Sequence, residues 1–126
     1  PAIAVSGPFG TVKEQSSGLY AQKMAEYGFL TIAFDPSFTG ESGDSPRYVA
    51  SPDINTEDFC AAVDFLSVQE NVDTDRIGII GICGWGGMAI NAAAQLELAE
   101  PGVFIAKNPT VSCISGFPAY FMDRLR

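Results

Sequence analysis

The run Ile77–Ile82 (IGIIGI) passes directly into Cys83-Gly84-Trp85-Gly86-Gly87 and then into a stretch of helix formers reaching Leu98. A nearly all-apolar run of this kind reads as a strand covered on both faces, as in the interior of a parallel sheet. A strand that ends among glycines and continues at once as a helix must turn sharply, and small residues are needed where the backbone is that crowded. This segment alone points to an α/β architecture with a tight turn at the carboxyl edge of its sheet.

The rest of the chain alternates in the same way. Ala2–Val5 (AIAV) is a first strand, followed by a loop over Ser6–Thr11 with two glycines and a proline. A helix is expected over about Lys13 to Tyr27, with Leu19, Tyr20 and Met24 on one side and Gly28 as its stop. Leu30–Phe34 (LTIAF) is a second strand. The segment Asp35–Pro52, rich in Gly, Ser and Pro, is longer than a connector requires, which marks it as a functional loop. Asn55 or Thr56 is expected to cap the next helix. In that helix Phe59, Ala62, Val63 and Leu66, at i, i+3, i+4 and i+7, form one buried stripe. A third helix runs from about Gly86 to Leu98, ended by Pro101-Gly102. Beyond it, VFIA and VSCIS are strand-like pieces around Asn108-Pro109.

The length of 126 residues bounds the chain to a single domain. Fifteen acidic against seven basic residues give a formal charge of −8. Such a surface repels phosphate backbones and anionic lipids, so nucleic acid and membrane surfaces are poor partners. No apolar run approaches the roughly 18 residues that span a bilayer. Pro1–Val5 lacks the basic leader of a signal peptide, and the missing initiator Met leads to the expectation that the chain begins within something longer. The three cysteines, Cys60, Cys83 and Cys113, are irregularly spaced without a CxxC pair. This argues against a disulfide framework or a zinc site and for a reduced, cytoplasmic setting.

Chemistry concentrates at Cys83. A nucleophile on a sharp strand-to-helix turn stands proud of the sheet, and the helix it opens presents free N–H groups and a positive dipole end. The N–H of Gly84 is thus placed to stabilise an oxyanion, and the same dipole favours a reactive thiolate. The plainer reading is that a free cysteine is a small buried hydrophobe. It suits Cys60, on the apolar side of a helix, and Cys113, but the glycines around Cys83 weigh against it there. A rival reading takes Gly84–Ala89 as the dinucleotide fingerprint G-x-G-x-x-[GA]. That fingerprint expects an acidic residue at the end of the next strand, where this chain has Lys107, a residue suited only to a 2′-phosphate.

Four stretches together carry a family resemblance: GPFGTVKEQ (Gly7–Gln15), AFDPSFTGESG (Ala33–Gly43), DINTEDFCAAVDFL (Asp53–Leu66) and DRIGIIGICGWGGMAINAAA (Asp75–Ala94). From Ser6 to Ala94 the chain resembles the α/β-hydrolase superfamily, in its branch close to the dienelactone hydrolases. The resemblance implies a parallel sheet with helices on both faces, a core fragment of that fold with three central strands. With right-handed crossovers these strands take the order 2-1-3, and residues 96–126 form a tail of unassigned fold. It also implies hydrolysis of an ester, lactone or similar small-molecule acyl substrate through Cys83, with no metal or organic cofactor. Gly84 would supply one oxyanion N–H. The second should come from the loop after the first strand, where Pro8 has no N–H to give, so Phe9 is the candidate. Trp85 departs from the pattern G-x-[SC]-x-G, standing where its last glycine belongs; it either alters the turn or lines the pocket.

The larger departure is that the chain contains no histidine, so the usual general base is not among its residues. The expectation is therefore a truncated or frame-shifted product, inactive alone, whose open sheet edges favour homo-oligomerisation or a partner. Two carboxylates have local readings. Glu14 is a candidate to orient or deprotonate Cys83, set against a solvated carboxylate in a first helical turn. Asp35, at a strand end, is expected to fix its own loop.

Overall fold

The computed structural model describes residues 1–99 and 103–107, with side chains placed as far as Leu96. Its elements are β1 (Ala2–Ser6), α1 (Ser16–Glu26), β2 (Leu30–Ala33), α2 (Pro52–Ser67), a 3-10 turn (Thr74–Arg76), β3 (Ile77–Gly81), α3 (Trp85–Ala99) and β4 (Val103–Lys107). All strand pairings are parallel and the sheet order is β2-β1-β3-β4. The first three strands thus take the order 2-1-3, and β4, from the VFIA piece, adds a fourth beside β3. Cys113, the VSCIS piece and Asn108-Pro109 lie outside the described residues.

Alternation along β1 and β3 divides the core between the two faces. Ala2, Ala4, Ile77 and Ile79 face α2 and α3, where Phe59, Val63, Leu66, Met88, Ala92 and Ala93 cover them. Ile3, Val5, Ile80 and Ile82 face the other way, under Ala21, Met24 and Phe29 from α1 and the turn after it. Both inner strands are wholly buried, which is why they read as continuous apolar runs. The edge strand β2 is half-open, with Leu30 exposed. No helix among the described residues is long and apolar enough to cross a membrane.

Most boundaries fall within one residue of the sequence expectation, but two helix starts differ by more. The first helix starts at Ser16, because Lys13 is drawn away from helix by its bonds to Asp35, described below. The second starts at Pro52, with Ser51 as N-cap, and neither Asn55 nor Thr56 caps it. Proline suits a first helical position because its missing N–H would have no helical partner. Asn55 is fully buried instead. Its side chain accepts from Ser51 N–H (2.9 Å) and donates to Asp58 (2.9 Å), which in turn accepts from Ser37 N–H and Oγ. The long loop is tied to α2 through this network.

The registers Val5↔Ala33, Ser6↔Gly81 and Gly81↔Lys107 align the carboxyl ends of the four strands. Between β1 and β3 the chain changes direction across the sheet, the position at which open α/β sheets place their ligand sites. The loop after β1 and the turn after β3 meet there.

Candidate active site

Cys83 lies between β3 and α3 with φ 60°, in the left-handed region that non-glycine residues enter only when their surroundings hold them. Its side chain is exposed. The N–H groups of Trp85, Gly86 and Gly87 bond to the carbonyls of Ile82, Cys83 and Gly84 (3.2, 3.1 and 3.3 Å), so the helix begins to wind immediately after the turn. Close packing explains the glycine before it. A Cβ on Gly81 would come within 2.7 Å of the Ala89 methyl and closer still to the Trp85 carbonyl oxygen. The N–H of Gly84 donates to no hydrogen bond among the described residues.

The loop after β1 packs on this turn. Gly7, with φ 106°, has no room for a side chain: a Cβ would lie 2.8 Å from the Trp85 Cβ and nearer to the Ile82 carbonyl. Ser17 Oγ donates to the Gly7 carbonyl at 2.6 Å, anchoring the start of the loop. Thr11 then closes a turn, its N–H and Oγ both donating to the Pro8 carbonyl (3.3 and 2.9 Å). The Phe9 ring lies directly against Gly84 and 5.9 Å from the Trp85 ring, and its N–H has no described partner. The structure therefore brings the loop carrying Phe9 onto the turn that carries Cys83 and Gly84.

Trp85 lines the pocket without disturbing the turn. It is buried, packing edge-on to Phe59 (6.2 Å) and tilted against Phe9. Its indole Nε1 is buried without a described partner. Together with Pro8, Phe9, Thr11, Tyr48 and Val49 it walls a cavity of about 200 Å³ between the Phe9 loop and the long loop. A larger groove of about 590 Å³ runs between α2 and α3, walled by Asp53, Glu57, Asn91 and Gln95 and by none of the turn residues. The smaller cavity is the one walled by Phe9 and Trp85, the two residues whose rings pack beside the Cys83 turn.

The two carboxylates separate cleanly. Glu14 is 63% exposed and pairs with the Lys13 ammonium at 3.2 Å; no described contact joins it to Cys83. Asp35 is buried and does hold its loop. Its carboxylate accepts from Lys13 N–H (2.7 Å), Lys13 Nζ (2.9 Å) and Glu41 N–H (3.0 Å), while its carbonyl accepts from Ser42 Oγ at 2.5 Å. Gly40, with φ 57°, packs so tightly on this carboxylate that a Cβ there would overlap it. Burial pushes the Asp35 carboxyl up, but the Glu41 N–H and the two Lys13 donors outweigh it and hold it below the usual carboxylate range. Hydrogen bonds donated to Glu41 and then Asp35 hold the Lys13 ammonium above the usual lysine range. Sequence reasoning passed over Lys13. Its only signal was a lone cation beside the Phe9 loop in a strongly acidic chain. Cys60 packs against the core as expected, 3.7 Å from Gln95 Oε1, and burial pushes its thiol up.

Residues 1–105 match the dienelactone hydrolase family. The chain belongs to that family. The match runs past Ala94, where the sequence resemblance ends, and takes in the start of β4. An uncharacterized protein of Pseudomonas aeruginosa, PA2218, is 74% identical over 94 residues, which make up 75% of this chain and 25% of that protein. Its crystal structure superposes with a TM-score of 0.72, covering 29% of the crystallised chain. The thiohydrolase aneE of Aspergillus aculeatus is 36% identical over 74% of this chain and 29% of its own length. The α/β-hydrolase GrgF from a Penicillium species is 26% identical with a TM-score of 0.71, over 75% of this chain and 32% of that one. The chain thus spans about a quarter to a third of the length of the proteins it matches.

Within this family's fold the dinucleotide fingerprint has a different explanation. Gly86 is buried, Gly84 is covered by the Phe9 ring, and Ala89 packs on Gly81. The same spacing of small residues serves the crossing of helix and strand.

Proposed function

We propose that this chain is the nucleophile-bearing part of a hydrolase acting on an ester, lactone or thioester, with Cys83 as the attacking residue. The observation that carries the reading is the exposed thiol of Cys83, in the left-handed conformation at the start of α3. Such a residue is held away from the sheet and toward a bound carbonyl. The Cys83 thiolate adds to the acyl carbon and the carbonyl electron pair moves onto oxygen. That oxyanion lies between the N–H groups of Gly84 and Phe9. When it collapses, the alkoxide or thiolate leaving group departs, takes a proton from water, and leaves the acyl group as a thioester on Cys83. The thiohydrolase name of one relative supports acyl transfer at sulfur as part of this range.

Deacylation needs water to lose a proton as it attacks. Histidine is the ordinary base for that step, and this chain has none. Removal of a triad member costs roughly four orders of magnitude or more in related chemistry. The chain alone is therefore an acceptor of acyl groups rather than a turnover catalyst. Mixing the 126-residue chain with p-nitrophenyl acetate should release one equivalent of nitrophenolate and then stop. Mass spectrometry should find the acetyl group on Cys83, and Cys83→Ala should show neither. A burst that survives Cys83→Ala would overturn the assignment, and sustained turnover would show that another group serves as base.

A further inference from the structure

The stretch between Gly7 and Lys13 is held at both ends, and the two anchors differ in kind. At its start, Gly7 is wedged against Ile82 and Trp85 and its carbonyl is bound by Ser17. At its end, Lys13 grips Asp35 twice, through its backbone N–H at 2.7 Å and its ammonium at 2.9 Å. The Lys13 carbonyl packs against Gly18, where a Cβ would lie 2.6 Å away. Between the anchors Phe9 and Gly10 are exposed, and Phe9 N–H has no described partner. Asp35 itself cannot drift, because Glu41 N–H and the close approach of Gly40 fix its carboxylate. The ammonium is steadied further by Glu41 (2.6 Å) and Glu14 (3.2 Å).

We propose that Lys13 is a positioning residue for acyl transfer: by locking onto Asp35 it fixes the far end of the Phe9 loop and so holds Phe9 N–H where the oxyanion forms. The inference rests on the reading of Cys83 as nucleophile and names a residue outside that reading. It also gives the buried Asp35 a task beyond closing its own loop. An oxyanion donor stabilises charge only if it is already in place when the charge develops. A loop with one loose end would leave that donor spread over many positions.

Two reagents separate this role from a merely structural one. Iodoacetamide alkylates a thiolate without needing an oxyanion hole, whereas p-nitrophenyl acetate needs both. In the 126-residue chain, Lys13→Gln should slow the acetylation burst at least tenfold and leave the alkylation rate within twofold of wild type. Lys13→Arg, which keeps the charge, should recover most of the lost rate. Circular dichroism checks the fold of each variant. If Lys13→Gln does not fold, Glu41→Gln carries the test, since it weakens the ammonium's anchorage at the exposed side only. It should slow acetylation two- to fivefold with alkylation unchanged. Equal losses in both reactions, or unchanged acetylation in a folded variant, would overturn the proposal. A wild-type chain without a burst would overturn it together with the reading it rests on, and that result is told apart from the others by the wild-type control.

Discussion

The turn at Cys83 and the loop at Phe9 face one another, yet they are held in different ways. The turn is held by volume. Gly81 and Gly7 fit against Trp85, Ala89 and Ile82 with no space for another carbon, and Trp85 is clasped between Phe9 and Phe59. The loop is held at its far end by charge and hydrogen bonds, through Lys13, Asp35 and Glu41. Packing of the first kind is indifferent to pH and salt but intolerant of an added methyl. Bonding of the second kind tolerates shape changes but depends on protonation, and its exposed member at Glu41 is screened by salt. The proposed nucleophile is therefore set rigidly, while its proposed oxyanion donor is set by interactions that conditions can loosen.

The hardest blow to the steric side is Gly81→Val. Its Cβ would press on the Trp85 carbonyl and the Ala89 methyl, a backbone atom and a helix packed on the sheet, neither of which can swing aside. The expected loss is on the order of 4 kcal/mol or more, a large part of a domain's stability. Urea unfolding followed by circular dichroism measures it, and a variant as stable as wild type would mean that strand and helix are not in this contact. On the electrostatic side, Asp35→Asn removes the buried carboxylate that accepts from Lys13 and Glu41, leaves the partly exposed Lys13 ammonium its bonds to Glu41 and Glu14, and should cost about 1–2 kcal/mol at neutral pH. Asp35 has a folded-state pKa below its unfolded value, so the unfolded chain binds its proton first as pH falls. Its contribution is present above about pH 4, the unfolded value, and disappears as pH drops through the lower folded one. Asp73, lowered by its bond from Arg76, titrates in the same window, so the informative quantity is the difference between wild type and Asp35→Asn. That difference should shrink steadily below pH 4; a constant gap would detach it from the carboxylate's charge.

The same contrast explains what could be read from the sequence. Volume leaves a local record: IGIIGI followed by closely spaced glycines gave away a buried strand, a sharp turn and Cys83 at its apex, because each residue there answers to its own chain neighbours. The stripe Phe59, Ala62, Val63 and Leu66 was legible for the same reason, and all four are buried. The charged anchor left no such record. Lys13 and Asp35 lie 22 positions apart, and nothing near either one specifies the other. Asn55 reads as a cap in the sequence because its side chain looks the same whether it serves a helix end or, as here, joins Ser51 to Asp58 from a fully buried site. Of the two readings the sequence leaves open for Glu14, its exposure and its pairing with the neighbouring ammonium favour the solvated carboxylate.

The finest test concerns the one place where the two kinds of restraint touch. A Cβ on Gly84 would meet Phe9 Cζ at 2.5 Å and Cδ2 at 2.6 Å, and the ring's Cε2 more closely still. Unlike the neighbours of Gly81, this ring is the far end of a side chain that is 49% exposed, so it can rotate away. Gly84 has no positive φ, so alanine also restricts the unfolded chain, a gain of about 0.4–1 kcal/mol that offsets part of the clash. Gly84→Ala should therefore change stability by less than about 1 kcal/mol. Its effect should fall instead on the acetylation burst, because the displaced ring pulls on the loop that carries Phe9 N–H. A double-mutant cycle isolates the contact. In a Phe9→Ala background, where there is no ring to displace, Gly84→Ala should leave the burst rate within twofold, while in the wild-type background it should lower it several-fold. Equal effects in both backgrounds would mean that the added methyl acts on Cys83 directly, and that the loop's position does not depend on this contact.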